Sequence, residues 1–304
     1  MHFRSIDTMN RAILKGLHKI PQDVDLVVGI PRSGLLAGNM AALYLNRPLA
    51  DLKGLTERRL LGKGKRVIRN LSDNIFEEAR KILIFDDCIS QGTEIKKAKA
   101  IVDEAGFGDR AVYGVVYSFP ENPGMVDVVM EIVPRPACFQ WSCMYTRELN
   151  YWMVDFDGLI TVPDTGIENA QPRFLPTEEI GWLVTDRPES QRAATEAWLK
   201  QHDVPFKNLL MRPDGASPEQ AAAHKAEAYR NSEAILLMSA DPAVASGVAD
   251  ATARPALCVD NSTLYGGPEN EAFEVFKQRV GLPRLMRRIK RAPGKIGRKL
   301  GLGS

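Results

Sequence analysis

Short apolar runs alternate with helical patterns along the first half of the chain. Strand patterns occupy 25–30, 81–87, 111–119 and 126–133, and helical patterns occupy 35–45 and 95–105. Strands that alternate with helices in this way predict an open α/β sheet. The basic stretch 53–70 contains glycines and has no clear apolar period, so we expect it to form a mobile loop.

The alternation restarts in the second half, which predicts a second α/β domain. Strand patterns occupy 152–156, 180–185, 234–239 and 255–259, and helical patterns occupy 189–201, 217–230 and 243–251. A length of 304 residues is enough for two domains, each with its own core. We therefore expect one domain at 1–135, a junction at 136–150, a second domain at 151–274 and a tail at 275–304.

Composition is ordinary for a globular protein, with 44% hydrophobic and 26% charged residues. The start of the chain has no cleavable signal pattern, and no apolar run approaches the roughly 18 residues of a membrane-spanning helix. The four cysteines are scattered without a CxxC pair, at 88, 138, 143 and 258. They are expected to be reduced thiols in a cytoplasmic protein.

The net charge of +2 is unevenly distributed along the chain. Ten Lys or Arg residues and no acid fall between Phe276 and Ser304, which leaves 30 basic against 38 acidic residues elsewhere. Within 277–299, Leu282, Leu285, Met286 and Ile289 share one helical face, a pattern typical of a helix lying on an anionic membrane. A solvated tail, or a helix docked on the acidic body, explains the pattern equally well. No nucleic-acid partner is expected, because the chain has no recognition module with interleaved aromatic residues.

Two segments of the first half have the character of a phosphate site. The strand at 25–30 leads into a helix through the small turn Pro31–Gly34, where backbone N–H groups can hold a polyanion and Arg32 adds a charge. The strand at 81–87 ends in Asp86 and Asp87, whose carboxylates can accept hydrogen bonds from two neighbouring sugar hydroxyls. The turn that follows offers N–H groups and hydroxyls to a phosphate.

This combination resembles the type I phosphoribosyltransferases over about residues 20–135. The resemblance implies that Asp86 and Asp87 bind the ribose hydroxyls of phosphoribosyl pyrophosphate. The implied 5-phosphate site comprises Ile89, Ser90, Gln91, Gly92 and Thr93. The implied pyrophosphate site, with magnesium, comprises Pro31, Arg32, Ser33 and Gly34.

The basic loop matches the mobile hood of that family, which covers pyrophosphate and excludes water. Its candidate contacts, among which the sequence does not choose, are Arg58, Arg59, Lys63, Lys65 and Arg66. Gln91 and Glu94 depart from the family pattern, where small or hydroxyl residues are common. A carboxylate beside a phosphate is unfavourable unless Glu94 points away or pairs with Lys96 or Lys97.

A second acidic motif opens the second half. In VDFDGLI, Asp155 and Asp157 lie two residues apart at a strand end, and Gly158 permits a sharp turn. Attack on a phosphate monoester needs a carboxylate nucleophile, an acid for the leaving alkoxide and Mg²⁺ to neutralise charge. Thr185 ends the next strand, and Lys225 and Asp241 follow along the chain.

That order resembles the HAD (haloacid dehalogenase-like) phosphatases over about residues 151–262. The resemblance implies Asp155 as nucleophile, Asp157 as general acid and base, Thr185 as phosphate ligand and Lys225 as a charge clamp. It also implies an Mg²⁺ site at Asp155, Asp157 and Asp241. Only about 24 residues separate the first two strands, too few for a large cap domain, so we expect an open site.

Together the two resemblances predict a bifunctional enzyme. Its first half would transfer 5-phosphoribose from phosphoribosyl pyrophosphate to an acceptor, and its second half would remove the 5-phosphate. The favoured acceptor is a lipid-linked glycan in polysaccharide biosynthesis, at the inner membrane face, because the tail offers a membrane address. One alternative is nucleobase salvage followed by nucleotidase action. Another is a non-catalytic first half that senses phosphoribosyl pyrophosphate and regulates the phosphatase.

Overall fold

A computed structural model describes residues 1–64, 74–163, 166–215 and 221–266. The chain divides into two compact units, one spanning His2–Trp141 and the other beginning at Ser142. This division falls inside the segment 136–150 that the sequence predicts as the junction. The tail at 275–304, including the segment 277–299 for which membrane contact is predicted, lies outside the described residues, as do Lys65 and Arg66.

The first unit is built on a five-stranded parallel sheet with strand order β3-β2-β4-β5-β6. Its strands are β1 (His2–Arg4), β2 (Val24–Gly29), β3 (Leu49–Asp51), β4 (Lys81–Ile89), β5 (Ala111–Ser118), β6 (Val128–Ile132) and β7 (Ala137–Phe139). Its helices are α1 (Ile6–Gly16), α2 (Ser33–Leu45), α3 (Leu52–Thr56), α4 (Ile75–Glu78) and α5 (Thr93–Glu104). β1 and β7 pair in parallel as a separate two-stranded sheet.

Helices cover both faces of this sheet, which explains the continuous apolar run of the central strand β4. Met9 of α1 and Ala37 of α2 belong to the core on one face. Leu55 of α3 and Ala98 of α5 belong to the core on the other. A strand buried on both faces has no polar side to alternate with, so β4 is apolar from Ile82 to Phe85. After Lys81, which begins the strand, its first polar side chains are those of the acid pair.

The expectation of a loop throughout 53–70 is wrong at its beginning, because α3 occupies Leu52–Thr56. The Asp51 carboxylate accepts a hydrogen bond from the Gly54 N–H at 2.5 Å and so caps this short helix. Leu55 is fully buried in the core. The sequence pattern did not predict this short helix, because one buried leucine and one capping residue do not produce a periodic apolar pattern.

The second unit has a six-stranded sheet with strand order β10-β9-β8-β11-β12-β13. The strands are β8 (Trp152–Asp155), β9 (Ile180–Pro188), β10 (Phe206–Arg212), β11 (Leu236–Ser239), β12 (Ala256–Cys258) and β13 (Thr263–Tyr265). The helices are α6 (Arg192–Gln201), α7 (Ala221–Asn231) and α8 (Pro242–Thr252). All neighbouring strands are parallel except β12 and β13.

The strand order of the second unit determines which strand ends meet and which strand lies at the edge of the sheet. β8 lies between β9 and β11, so the carboxyl ends of these three strands meet at one edge of the sheet. β10, which the hydrophobic pattern did not predict, forms the outer strand beside β9. Its residues Lys207 and Asn208 are exposed, as expected of an edge strand, and these polar residues interrupt the apolar pattern.

None of the described helices is long and apolar enough to cross a membrane.

Candidate functional site

The acid pair of the first unit lies where the central strand β4 ends and α2 begins. Ser33 donates a hydrogen bond from Oγ to Asp87 Oδ1 at 2.6 Å. A Cβ atom at position 34 would lie 2.5 Å from Asp86 Oδ1, so α2 approaches β4 this closely because residue 34 is glycine. The fold thus brings the 31–34 turn beside Asp86 and Asp87. Pro31 and Arg32 are exposed on this turn, and the peptide bond between them is cis.

The second carboxylate oxygen of Asp87 is held by a tryptophan. Trp141 donates from Nε1 to Asp87 Oδ2 at 2.6 Å. The indole packs between Tyr117 and Phe139, at ring-centre distances of 6.2 and 5.2 Å. No local signal points to the bond, because the two partners are 54 residues apart.

Burial changes the acid–base behaviour of Asp86. Burial first, and then the charge of Asp87, raise the pKa of Asp86 to about 8. Asp86 Oδ1 also accepts a hydrogen bond from the Asp87 N–H at 2.9 Å. At neutral pH, Asp86 is therefore mostly protonated. Such a pair can both donate to and accept from two neighbouring hydroxyl groups.

The predicted phosphate turn connects β4 to α5. Ile89 and Gly92 are buried, whereas Ser90, Gln91 and Thr93 are exposed. Gly92 has a φ of 76°, a left-handed conformation that glycine adopts without steric cost. The turn therefore exposes its hydroxyl side chains at the beginning of a 12-residue helix, where free N–H groups favour an anion.

Two residues that the sequence did not indicate support this turn. Asn122 donates a hydrogen bond from Nδ2 to the Ser90 carbonyl oxygen. Arg135 donates from Nη2 to Ser90 Oγ at 3.3 Å, and its guanidinium lies 3.6 Å from the centre of the Phe119 ring. Arg135 also pairs with Glu121 at 2.8 Å. A guanidinium thus stands beside the predicted phosphate turn.

Glu94, which departs from the family pattern, forms an ion pair within the first unit, and so do two of the basic hood candidates. Glu94 forms an ion pair with Lys97 at 2.7 Å, which is one of the two arrangements that relieve its repulsion of a phosphate. Arg58 pairs with Glu77 at 2.6 Å, and Arg59 pairs with Glu57 at 3.4 Å. Lys63 is exposed.

The second unit buries an ion-paired carboxylate at the end of β8. Asp155 Oδ2 accepts hydrogen bonds from Lys225 Nζ at 2.9 Å and from Ser239 Oγ at 2.8 Å. The side chains of Asp155 and Lys225 are 1% and 2% exposed. Lys225 Nζ also lies 2.5 Å from Asp186 Oδ2, so one ammonium group serves two carboxylates.

The second acid of the DxD motif is fixed by its neighbours on β9. Asp157 Oδ2 accepts hydrogen bonds from Thr185 Oγ1 at 2.6 Å and from the Asp186 N–H at 2.8 Å. Asp157 Oδ1 lies 3.2 Å from Arg187 Nε. Gly158, with a φ of 81°, turns the chain away after the motif. The four predicted catalytic residues are thus brought together, along with the unpredicted Asp186, Arg187 and Ser239.

Burial also perturbs the ionisation of the central pair. It raises the pKa of Asp155 to about 7, although the Lys225 charge acts in the opposite direction. Burial alone would lower the pKa of Lys225, but the charges of Asp155 and Asp186 outweigh it and raise that pKa instead. The lysine therefore stays protonated at neutral pH, as a charge clamp requires.

The predicted Mg²⁺ ligands differ in how well they fit a metal. No cluster of three or more His, Cys, Asp or Glu side chains suited to a metal occurs within the described ranges. The Asp157 carboxylate is already engaged by Thr185 and Arg187. Asp241 caps α8 by accepting from the Ala243 N–H at 2.7 Å. Its own N–H donates to Ser239 Oγ at 3.2 Å, and that hydroxyl contacts Asp155.

Mg²⁺ often uses only one or two protein carboxylates, together with waters and substrate phosphate. Ser239 contacts the Asp155 carboxylate and the Asp241 N–H, so these two acids lie at the same edge of the sheet and are candidates for such a donor set. Like that of Asp157, the Asp155 carboxylate is already hydrogen-bonded, to Lys225 and Ser239.

Comparisons with solved structures found similarity to phosphoribosyltransferases over less than half of the chain. The xanthine-guanine-hypoxanthine phosphoribosyltransferase of Helicobacter pylori is 13% identical, with a TM-score of 0.35, over 46% of this chain and 92% of that one. A purine phosphoribosyltransferase from Pyrococcus horikoshii is 18% identical, with a TM-score of 0.33, over 46% and 92%. Orotate phosphoribosyltransferase from Aeropyrum pernix is 19% identical, with a TM-score of 0.29, over 42% and 71%. No protein-family model and no curated protein matches the chain.

Proposed function

We propose that this protein is a two-step ribosylating enzyme. The first unit transfers a 5-phosphoribosyl group from phosphoribosyl pyrophosphate to an acceptor, and the second unit hydrolyses the 5-phosphate from the product. The observation that carries the proposal is the convergence of Asp155, Asp157, Thr185 and Lys225 at the carboxyl edge of the second sheet. A phosphatase in the same chain would hydrolyse the phosphomonoester that the first unit makes.

The acid pair and the two phosphate turns support the transferase step. Asp86 and Asp87 offer two adjacent carboxyl groups to the ribose hydroxyls, and that of Asp86 is mostly protonated at neutral pH. The turn 89–93 receives the 5-phosphate, and the turn 31–34 receives the pyrophosphate. In the reaction, the bond from C1 to the pyrophosphate oxygen breaks and a bond from C1 to the acceptor forms. The acceptor loses a proton, and pyrophosphate leaves.

The buried cluster of the second unit supports the hydrolysis. An Asp155 carboxylate oxygen attacks phosphorus to form an acyl phosphate, and Asp157, as general acid, delivers a proton to the leaving sugar oxygen. Water then attacks phosphorus, Asp157 takes a proton from it, and inorganic phosphate leaves with Asp155 restored. Lys225 balances negative charge on the phosphoryl group throughout.

Asp155 and Asp241 would hold Mg²⁺ in this unit. When bound, Mg²⁺ neutralises charge on the transferred phosphoryl group. Thr185 orients Asp157 through its 2.6 Å hydrogen bond, so the acid faces the leaving oxygen before the reaction begins.

Two acceptor classes belong in the assay. A lipid-linked glycan is suggested by the basic tail alone, and that tail lies outside the described residues. Purine bases and orotate are included because enzymes named for them are among the matched structures. Formation of nucleosides would assign the chain to salvage, whereas a requirement for a saccharide would assign it to glycan synthesis.

The test is to incubate the protein with phosphoribosyl pyrophosphate, Mg²⁺ and each acceptor, and to weigh the products. We expect wild type to add a pentose and Asp155→Asn to add a pentose phosphate, because asparagine cannot act as the carboxylate nucleophile. Asp87→Asn should add neither. The matched control for the second unit is Asp203→Asn, an exposed acid with a φ of 52° that asparagine tolerates.

Dephosphorylated product from Asp155→Asn would refute the two-step scheme. Binding of phosphoribosyl pyrophosphate without transfer to any acceptor, with a phosphatase rate that responds to it, would establish the sensor alternative. The sensor has one observation in its favour, because Ser33 and Trp141 already occupy both oxygens of Asp87.

A further inference from the structure

Asp186 contacts the lysine of the second site more closely than the proposed nucleophile does. Lys225 Nζ lies 2.5 Å from Asp186 Oδ2 and 2.9 Å from Asp155 Oδ2. We propose that Asp186 is a positioning residue that holds the Lys225 ammonium in place while Asp155 reacts. This inference rests on the phosphatase activity proposed above.

The need for a second partner follows from the chemistry of Asp155. A buried ammonium group is costly unless a carboxylate stays beside it, and the Lys225 side chain is only 2% exposed. When Asp155 forms the acyl phosphate, its carboxylate becomes an ester carbonyl, and the negative charge near Lys225 moves from Asp155 to the phosphoryl group. Asp186 takes no part in that bond, so its contact with Lys225 can hold the ammonium group in place through both half-reactions.

The backbone of Asp186 is fixed on both sides, which aims its side chain at the lysine. Its N–H donates to Asp157 Oδ2 at 2.8 Å, and its carbonyl oxygen accepts from Arg212 Nε at 2.7 Å. Its second carboxylate oxygen, Oδ1, is buried without a hydrogen-bond partner among the described residues. The Asp186 side chain is 29% exposed, yet this oxygen is left unsatisfied while Oδ2 contacts Lys225, which favours a functional reason for that contact.

The closing experiment compares Asp186→Asn with Asp214→Asn. Both changes remove a charge at constant size, and Asp214, which accepts from the Ser190 N–H at 3.1 Å, is an exposed acid of the same unit that makes no contact with Lys225 in the described structure. With p-nitrophenyl phosphate and Mg²⁺, we expect Asp186→Asn to lower kcat by about 10- to 100-fold and to change KM by less than about threefold. Asp214→Asn should leave both values within about twofold of wild type.

A second readout needs no catalysis. Acetylation of Lys225 by acetic anhydride, followed by mass spectrometry, should be at least about fivefold faster in Asp186→Asn than in wild type, because the amine is no longer held.

The outcomes separate the two proposals. If wild type hydrolyses the substrate, Asp155→Asn does not, and Asp186→Asn keeps a wild-type kcat, the positioning role is wrong and the phosphatase stands. If wild type is inactive, the phosphatase proposal is wrong. The labelling rate of Lys225 then decides whether Asp186 holds it, and an unchanged rate would overturn that role.

Discussion

Single buried carboxyl groups determine the chemistry of both units. Asp86 lies near the carboxyl end of β4 and Asp155 ends β8, and burial is the largest cause of the raised pKa of each. Near neutral pH, Asp86 is mostly protonated and Asp155 is close to half-protonated, so changes in their surroundings alter their charge. Ligand phosphate and neighbouring carboxylates are the obvious sources of such changes.

Stability of the first unit should fall as pH rises, because of Asp86. Its pKa is about 8 in the folded protein against an ordinary value of 3.8. The folded state therefore keeps a proton that the unfolded chain has released. The contribution of Asp86 is fully present below about pH 4 and is lost as pH rises through 8.

Asp86→Asn removes this dependence while its side-chain oxygen can still accept from the Asp87 N–H. Relative to wild type, the variant should gain about 2 kcal/mol in the free energy of unfolding between pH 6 and pH 8. Urea unfolding at the two pH values measures this gain. The exposed Asp109→Asn is the control, and an equal pH dependence in Asp86→Asn and wild type would contradict the prediction.

At the scale of elements, β7 contributes more to the packing of the first unit than its length of three residues suggests. It pairs with β1, and the aromatic pair Phe139 and Trp141 at and beyond its end packs against Tyr117. The sequence-based boundary at 135 assigns this strand to the junction, whereas the compact unit continues to Trp141.

A fragment ending at 141 should therefore be more stable than one ending at 135. The shorter fragment leaves β1 unpaired and uncovers Tyr117, and loss of two large aromatic side chains costs about 3 kcal/mol or more. Urea unfolding of fragments 1–141 and 1–135 measures the difference. Equal unfolding midpoints would show that β7 adds nothing to the first unit.

At the scale of the whole molecule, the succession of two α/β sheets could be predicted from the sequence. The strands β4 and β9 are easily recognised in the sequence, because burial on both faces leaves no polar residue in their apolar runs 82–85 and 180–184. Short strands such as β1 and β7 do not, because three residues carry no period. Edge strand β10 was missed for a related reason, since its exposed polar residues interrupt the apolar pattern.

The candidate sites could also be predicted only in part from the sequence. Acids at strand ends, such as Asp87 and Asp155, follow from position along the chain. Their partners Trp141 and Asp186 do not, because a hydrogen bond between distant segments depends on how the strands and helices pack. Asp186 in particular follows Thr185 in the sequence without any signal that its side chain reaches a lysine 39 positions later.

The bond from Trp141 to Asp87 gives the first unit a natural optical reporter. The other tryptophans, at 152, 182 and 198, all belong to the second unit, so Trp141 is the one indole of the first unit. A sugar hydroxyl that binds Asp87 Oδ2 must displace the Trp141 N–H, and this changes the polarity around the indole ring. Binding at the first site is therefore visible in the intrinsic fluorescence of the protein, without a label, an acceptor or a single turnover.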